Sequence, residues 1–530
     1  MRTNPIRLAI YAALGVLATM AVFAAVGSRT STLRGLVVQT LAERLDSHVE
    51  LGAFSVDIFP TVRITGGGLV IRHLNRRDVP PLVFVDTFTI DGGLFGLWSR
   101  PRRFRTATLT GLRINIPPGG FKKRERSDVE ASGSGATPPG AAPAPQAEPE
   151  DESGPGAIIV DRLVAERAAL VLIPRRAGKE PKIFDIHRLT MEPLGRGKVM
   201  AYEATLTNPL PKGLIETVGT FGPWRRGDPG GTPLTGRYTF DYVDLSTVKG
   251  IGGQLTSTGT FGGQLDRIAV TGETRTPDFF LKVSGNPVPL ETKFEAVVDG
   301  TDGDTYLNAV SGTFLRTSLT TRGAVVGAEG VKGRTVKVHV RIEDGRIEDI
   351  LRLAVRGEQP LMVGRLALHA DMLLPAGPED LMDRLGIVGD MTVRSARLTD
   401  DSAEQKLSNM SERARGLDPD EHSGSVASDL RAKFTLAGGV ISLGDASFAI
   451  PGATLRMTGT YGLFSEQIQF DGTVRMKATL SQAAGGGVKG FFLKAVDPIF
   501  RKKGAGAVLP IRVRGTRKDP KFGLDVKKVF

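Results

Sequence analysis

The chain has 530 residues and a formal net charge of +12, long enough for several ordinary domains. Cysteine is absent, which excludes disulfides, thiolate nucleophiles and cysteine-based metal sites. Glycine (66 residues) and proline (32) are abundant and aromatics make up only 6%, a composition of short strands and turns with helix in the minority.

The N-terminus opens on residues 1–7, which carry Arg2 and Arg7, followed by one uncharged apolar run from Leu8 to Gly27. About 20 residues at a rise of about 1.5 Å reach roughly 30 Å, enough to cross a bilayer's hydrocarbon core. The expectation is a cytoplasmic tail at 1–7, a transmembrane anchor at 8–27 and export of everything beyond it, although Arg29 and Arg34 weaken the charge asymmetry. Ala25 and Gly27 before Ser28 would also suit signal-peptide cleavage, but signal cores are shorter, about 7 to 15 residues.

Residues 28–120 read as a helix followed by a β module. Leu33, Leu36, Val37, Leu41 and Leu45 recur at helical spacing. Strands are expected over Val49–Ile58, Thr61–Ile71, Leu82–Ile90 and Leu109–Ile116, with Gly52, Pro60 and the Gly66–Gly68 triplet as punctuation. Residues 121–157 are charged, then rich in Ser, Gly, Ala and Pro, and read as a disordered linker.

The segment 158–480 shows the strongest period-two pattern. Val336, Val338, Val340 and Ile342 alternate with Lys337, His339 and Arg341, and Leu366 and Leu368 with Ala367 and His369. Phe434 and Leu436 continue the pattern against Lys433 and Thr435, as do Ile468 and Phe470 against Gln469, and Val474 and Met476 against Arg475. Successive strand side chains point to opposite faces, so one face is dry and the other wet. A helix interrupts near 400–416, with Ser402 and Gln405 as a capping box, Leu407, Met410 and Ala414 on one side, and Gly416 as the C-terminal cap. The basic end, 481–530, holds 12 Lys and Arg against 3 Asp and Glu between Lys489 and Phe530. Its Phe492, Val496, Phe500, Arg501, Lys502 and Lys503 are the expected contacts with a membrane or a partner protein.

The predicted fold is mainly β, a long curved amphipathic antiparallel sheet forming a β-groove, with an N-terminal transmembrane helix and a few short helices. Too few helices are available to cover the dry face. It is covered either by a second sheet, as in β-sandwich modules, or by something other than protein. On the second reading Val336, Val338, Val340, Ile342, Leu366, Leu368, Phe434, Leu436, Ile468, Phe470, Val474 and Met476 form a wall against lipid acyl chains.

Catalytic patterns are missing from the sequence. The six histidines are scattered without HExxH spacing, and no GxSxG elbow or GxxxxGK[ST] loop occurs. Asp299, Asp302 and Asp304 could gather on a hard cation, but their Asp-Gly steps read more simply as a hairpin turn. No enzyme activity, cofactor, metal or nucleic-acid partner is expected.

Several segments in order resemble the AsmA-like family, within the TamB-related, bridge-like lipid-transfer superfamily. They are the anchor, Leu51-Gly52 with Phe59-Pro60, the Gly-rich Thr65–Val70, Leu94–Trp98 and Leu112–Pro117 in the N-terminal part. Ile159–Pro174, Ile183–Leu189, Lys406–Gly416, Gly459–Tyr461, Asp471-Gly472, Asp497-Pro498 with Phe500, and Pro510–Thr516 with Pro520 resemble the C-terminal part. The resemblance implies a single-pass inner-membrane protein with its bulk in the periplasm, carrying phospholipid toward the outer membrane in an apolar groove. An outer-membrane or envelope protein would then be the C-terminal partner. The alternative is a non-catalytic β-sandwich structural or assembly factor for outer-membrane biogenesis.

Overall fold

The computed structural model describes residues 47–57, 61–73, 80–93, 102–116, 158–173, 181–195, 198–225, 228–327, 333–357, 359–417, 426–478, 508–516 and 519–524, with residues 34, 35, 38 and 331. The apolar run 8–27 and the segment 121–157 lie outside the described residues, as do Phe492, Val496, Phe500, Arg501, Lys502 and Lys503. Of the helix expected after the apolar run, Arg34, Gly35 and Val38 are described and helical. Arg34 donates from its guanidinium to the Leu51 carbonyl. No described helix is long and apolar enough to cross a membrane. The fold is mainly β, and the chain divides into two compact units.

The first unit comprises residues up to Pro209, with 214–238 and 262–265. Strands β1 (Ser47–Glu50) and β2 (Phe54–Asp57) both pair with β3 (Val62–His73), and β3 pairs with β4 (Val83–Gly92), all antiparallel. The Gly66–Gly68 triplet is therefore not a turn, as the sequence suggested, but the middle of one long strand. Close packing is the reason. A Cβ on Gly66 would lie 2.3 Å from Cζ of Phe88, and Gly68, at a φ of +66°, stands beside the break between β1 and β2.

Next come β5 (Arg102–Thr110) and β6 (Arg113–Ile116), both paired with β4, then β7 (Ile158–Leu172), β8 (Lys182–Glu192), β9 (Leu194–Gly195) and β10 (Met200–Pro209). Strands β5 and β6 run parallel to β7, so the sheet is mixed rather than antiparallel throughout. Residues 117–157 thus connect two neighbouring strands of one sheet, and parallel neighbours require such a long crossover. Leu51, Val85, Phe88, Leu112, Ala165 and Ala168 make the buried core here.

Strands β11 (Lys212–Phe221), β12 (Pro233–Asp244) and β14 (Gln254–Gln264) give residues to both units. The second unit also holds β13 (Ile251–Gly252), β15 (Arg267–Leu281), β16 (Val288–Val298), β17 (Thr305–Phe314), β18 (Thr317–Gly327), β19 (Arg334–Arg346) and β20 (Met362–Leu374). It continues with β21 (Gly386–Leu398), β22 (Ser428–Ala437), β23 (Val440–Ile450), β24 (Ala453–Gly462), β25 (Gln467–Met476), β26 (Val508–Thr516) and β27 (Pro520–Leu524). From β15 onward each strand pairs antiparallel with the next. Part of the basic end is thereby sheet: Arg512 and Arg514 stand on β26 and pair with Asp471 of β25 at 3.3 and 2.8 Å.

Three helices interrupt the meander: α1 (Ile347–Ala354), α2 (Leu381–Arg384) and α3 (Asp401–Arg415). The helix expected near 400–416 is α3. Its start is displaced from the predicted Ser402 cap, since Glu404 N donates to the Asp400 carbonyl at 2.9 Å and so begins the helical ladder at Asp400. Gly416, at a φ of +81°, ends it in the left-handed conformation, with Leu417 N bonded to the Glu412 carbonyl at 3.0 Å.

Candidate functional site

Cross-strand register in the second unit gathers the predicted wall residues on one face. One row joins Val338, Met372, Ile387, Leu436, Ile441, Tyr461 and Ile468 from β19 to β25. The next joins Val340, Ala370, Gly389, Phe434, Leu443, Gly459, Phe470 and Val513. A third runs through Ile342, Leu368, Met391, Ala432, Ala446, Met457, Gly472 and Ile511, and a fourth through Leu366, Val393, Leu430, Phe448, Leu455, Val474 and Leu509. Val336 pairs with Leu374 beyond the first row, and Met476 with Ala453 beyond the fourth.

These rows stay apolar because β-bulges correct their phase. Register shifts fall between Ile342 and Gly345, Val393 and Ala396, and Leu443 and Ala446. Each places an extra residue in one strand, returns the apolar side chains to the same face, and adds local twist. Sequence reasoning missed Met372, Ile387, Met391, Val393, Ile441, Leu443, Phe448, Leu455 and Met457. A usable signal existed on β24, where Leu455 and Met457 alternate with Arg456 and Thr458. On β23 the signal is broken at Gly444-Asp445, where the phase slips.

Two helices cover one margin of this face. Ile347, Ile350 and Leu351 of α1 pack against Leu366, Leu368, Met391, Val393 and Leu430. Leu407, Met410 and Ala414 of α3 pack with Phe448, Ile450, Ala453, Leu455, Val474 and Met476. Both helices lie at the fourth row. Val340, Phe434, Met457, Ile468 and Phe470 of the first three rows remain half-buried.

Helix α1 also shows that the sheet is curled. It touches β15 as well as β19 and β20, although strands five places apart in a flat sheet would be separated by about 24 Å and an eight-residue helix is only about 12 Å long. The contact is tied by Asn286, between β15 and β16, whose Nδ2 donates to the carbonyls of Arg352 (2.8 Å) and Val355 (3.0 Å). Arg356 Nε donates back to the Val283 carbonyl at 2.9 Å.

At the other end of α1, two acidic side chains are buried. Asp349, 3% exposed, accepts from Arg316 N (3.0 Å) and Thr317 Oγ1 (2.8 Å). Glu348 accepts from Arg316 Nη2 (2.8 Å) and Gly364 N (3.1 Å). Buried carboxylates are tolerated only when paired in this way.

The apolar face continues from β19 back across β18 to β15, through Leu319, Val310, Phe314, Phe294, Leu290, Val270 and Ile268. Thr274, Thr276, Thr292 and Thr321 are interspersed among these apolar residues, with Thr274 and Thr292 hydrogen-bonded to each other at 2.7 Å.

The opposite face is charged. It holds an open trough of about 860 Å³ lined by Lys293, Glu295, Arg322, His339, Arg341, His369 and Asp371. His339 Nδ1 contacts Asp371 across β19 and β20, and His369 Nδ1 lies 3.5 Å from Asp390. On β25, hydrogen bonds from Arg514 and then Arg512 hold the Asp471 carboxyl below the usual carboxylate range.

The aspartates weighed as a cation site form a turn. Asp299 accepts from Thr301 N (2.8 Å), Asp302 from Asp304 N (2.9 Å), and Asp304 from Gly327 N (2.8 Å) and Arg334 Nη1 (2.6 Å). Comparison with protein families, with curated proteins and with solved structures returned no match.

Proposed function

We propose that the chain is a membrane-anchored lipid-transfer or lipid-homeostasis protein of the AsmA-like type, projecting into the periplasm. Its apolar sheet face shields phospholipid acyl chains between the inner and outer membranes without chemical turnover. The observation that supports this most is the set of apolar rows crossing β19 to β26, of which the helices cover only one margin. At about 0.8 kcal/mol per CH₂, two long acyl chains leave a bilayer only against tens of kcal/mol unless an apolar wall replaces it. Soluble proteins rarely leave rows of large apolar side chains half-covered without an occupant.

The anchor is the apolar run Leu8–Gly27, and the partners on this reading are phospholipid, the inner membrane and an outer-membrane or envelope protein. The test is extraction of the detergent-purified full chain for phospholipid, quantified by mass spectrometry. Several lipids per chain support the groove. A chain that purifies free of lipid refutes it and favours the structural or assembly role.

A further inference from the structure

The charged face of the second unit is not uniform. Several arginines on it are matched by carboxylates, Arg275 with Glu291 at 3.0 Å, Arg365 with Asp344 at 2.8 Å, and Arg514 with Asp471 at 2.8 Å, whereas Arg322, Arg394 and Arg475 form no ion pair among the described residues. Across β21 to β25 one row brings two unpaired arginines together. Register places Thr392, Arg431, Ser447, Arg456 and Thr473 directly opposite one another on successive strands. The row contains hydroxyls and guanidinium groups and no carboxylate. Neither Arg431 nor Arg456 forms an ion pair among the described residues, and both are exposed.

Arg431 and Arg456 stand two strands apart, about 9.6 Å between backbones, with the half-buried Ser447 midway. An arginine side chain reaches far enough for both guanidinium groups to converge above the Ser447 hydroxyl. Planar, donor-only forks on either side of a hydroxyl match a tetrahedral oxyanion, to which arginine donates paired hydrogen bonds. Arg394 on β21 and Arg475 on β25 stand two residues along from the end residues Thr392 and Thr473; of the nearby carboxylates, Asp429 accepts from Ser395 N at 3.3 Å and Asp471 is held by Arg512 and Arg514. The aspartates of the neighbouring row, Asp390 and Asp445, lie opposite Lys433 in register.

We infer that Arg431, Ser447 and Arg456 form a phosphate-binding clamp on the face opposite the apolar rows. Its ligand is a phosphate group, either free or carried by a lipid head. The clamp stands on its own geometry and does not depend on the proposed transfer function.

The experiment uses the full chain in nonionic detergent. Inorganic phosphate binding is followed by ³¹P NMR, and capture is followed by flotation with phosphatidylglycerol vesicles and, as the zwitterionic control, phosphatidylcholine vesicles. Arg431→Gln and Arg456→Gln each remove one charge, Ser447→Ala removes a hydroxyl at constant charge, and Arg275→Gln removes one charge elsewhere on the same face. The first two should weaken binding about tenfold and Ser447→Ala severalfold, as expected for hydrogen bonds to an ionised group. Arg275→Gln should stay within about twofold.

That ranking with free phosphate identifies a self-sufficient oxyanion site. The same ranking only on phosphatidylglycerol vesicles identifies the lipid head as the source. Equal effects of Arg275→Gln and Arg431→Gln, an inert Ser447→Ala, or a wild-type chain that binds neither probe would overturn the clamp. Thermal melting of each variant verifies the fold, since all four side chains lie on the solvent-facing side.

Discussion

Replacing Asp349 by alanine tests whether α1 is held to the sheet by its buried acid. The wild-type carboxylate accepts from Arg316 N and Thr317 Oγ1, and Thr317, fully buried, in turn accepts from Arg346 N at 2.9 Å. Asp349→Ala leaves the part-buried Arg316 N–H and the buried Thr317 hydroxyl proton without an acceptor. At about 1–3 kcal/mol for each orphaned group, the expected loss is about 4 kcal/mol. Asp349→Asn keeps an acceptor and should cost about 1–2 kcal/mol. Thr317→Val should cost a similar amount, and the double variant should be less destabilised than the sum, because both substitutions break one hydrogen bond.

Tryptophan fluorescence does not report here, since neither of the two tryptophans, Trp98 and Trp224, lies in the sequence near α1 and the described one, Trp224, belongs to the first unit. Amide hydrogen exchange with mass spectrometry resolves the segment 346–354 directly. Opening of α1 should become easier by the stated amount while β22 to β25 keep their protection. A dye for exposed apolar surface should bind more strongly, as Leu366 and Val393 are uncovered. If protection in 346–354 changes by less than about 0.5 kcal/mol in Asp349→Ala, the acid is not what docks this helix.

Val340→Asp places a charge in the second apolar row, whereas Val388→Asp places one on the opposite face, where Val388 is 60% exposed. Lipid recovered by extraction should fall several-fold in the first and stay unchanged in the second, and equal recovery would remove the groove from this row. Gly66→Ala should destabilise the first unit by about 1–3 kcal/mol through collision with the Phe88 ring, with Phe88→Leu restoring part of the loss; unchanged thermal melting would refute that packing.

The Asp471 carboxyl, depressed by Arg514 and Arg512, supports folding fully at pH values above its unfolded pKa of about 3.9. That support disappears as pH falls through the lower folded value, so the melting midpoint of wild type should drop more steeply below about pH 4 than that of Asp471→Asn. Parallel acid limbs in the two proteins would show the pair to be inert.

Much of the second unit is legible in the sequence, because strand alternation is a local property. The dry parity of Val336 to Ile342, of Leu366 and Leu368, and of Ile468 to Met476 survives unchanged in the register. The helix at α3 is legible for the same reason, as Leu407, Met410 and Ala414 fall on one side at helical spacing and meet the core. What escaped notice was non-local. A glycine triplet is a turn signal unless a ring such as Phe88 lies across it, and a charged, threonine-rich stretch such as Arg102–Thr110 is a strand only because β4 and β7 flank it.

The amino-acid order alone thus determined the secondary-structure class and the two-sided character of each strand, since both follow from side-chain alternation along an extended backbone. Only the tertiary structure decided which strands are neighbours, where bulges restore the apolar phase, and which margin the helices cover. It also decided that Arg431, Ser447 and Arg456 meet in one row, although 25 residues separate the two arginines. Register depends on how neighbouring strands pair and where each bulges, and alternation along a single strand specifies neither.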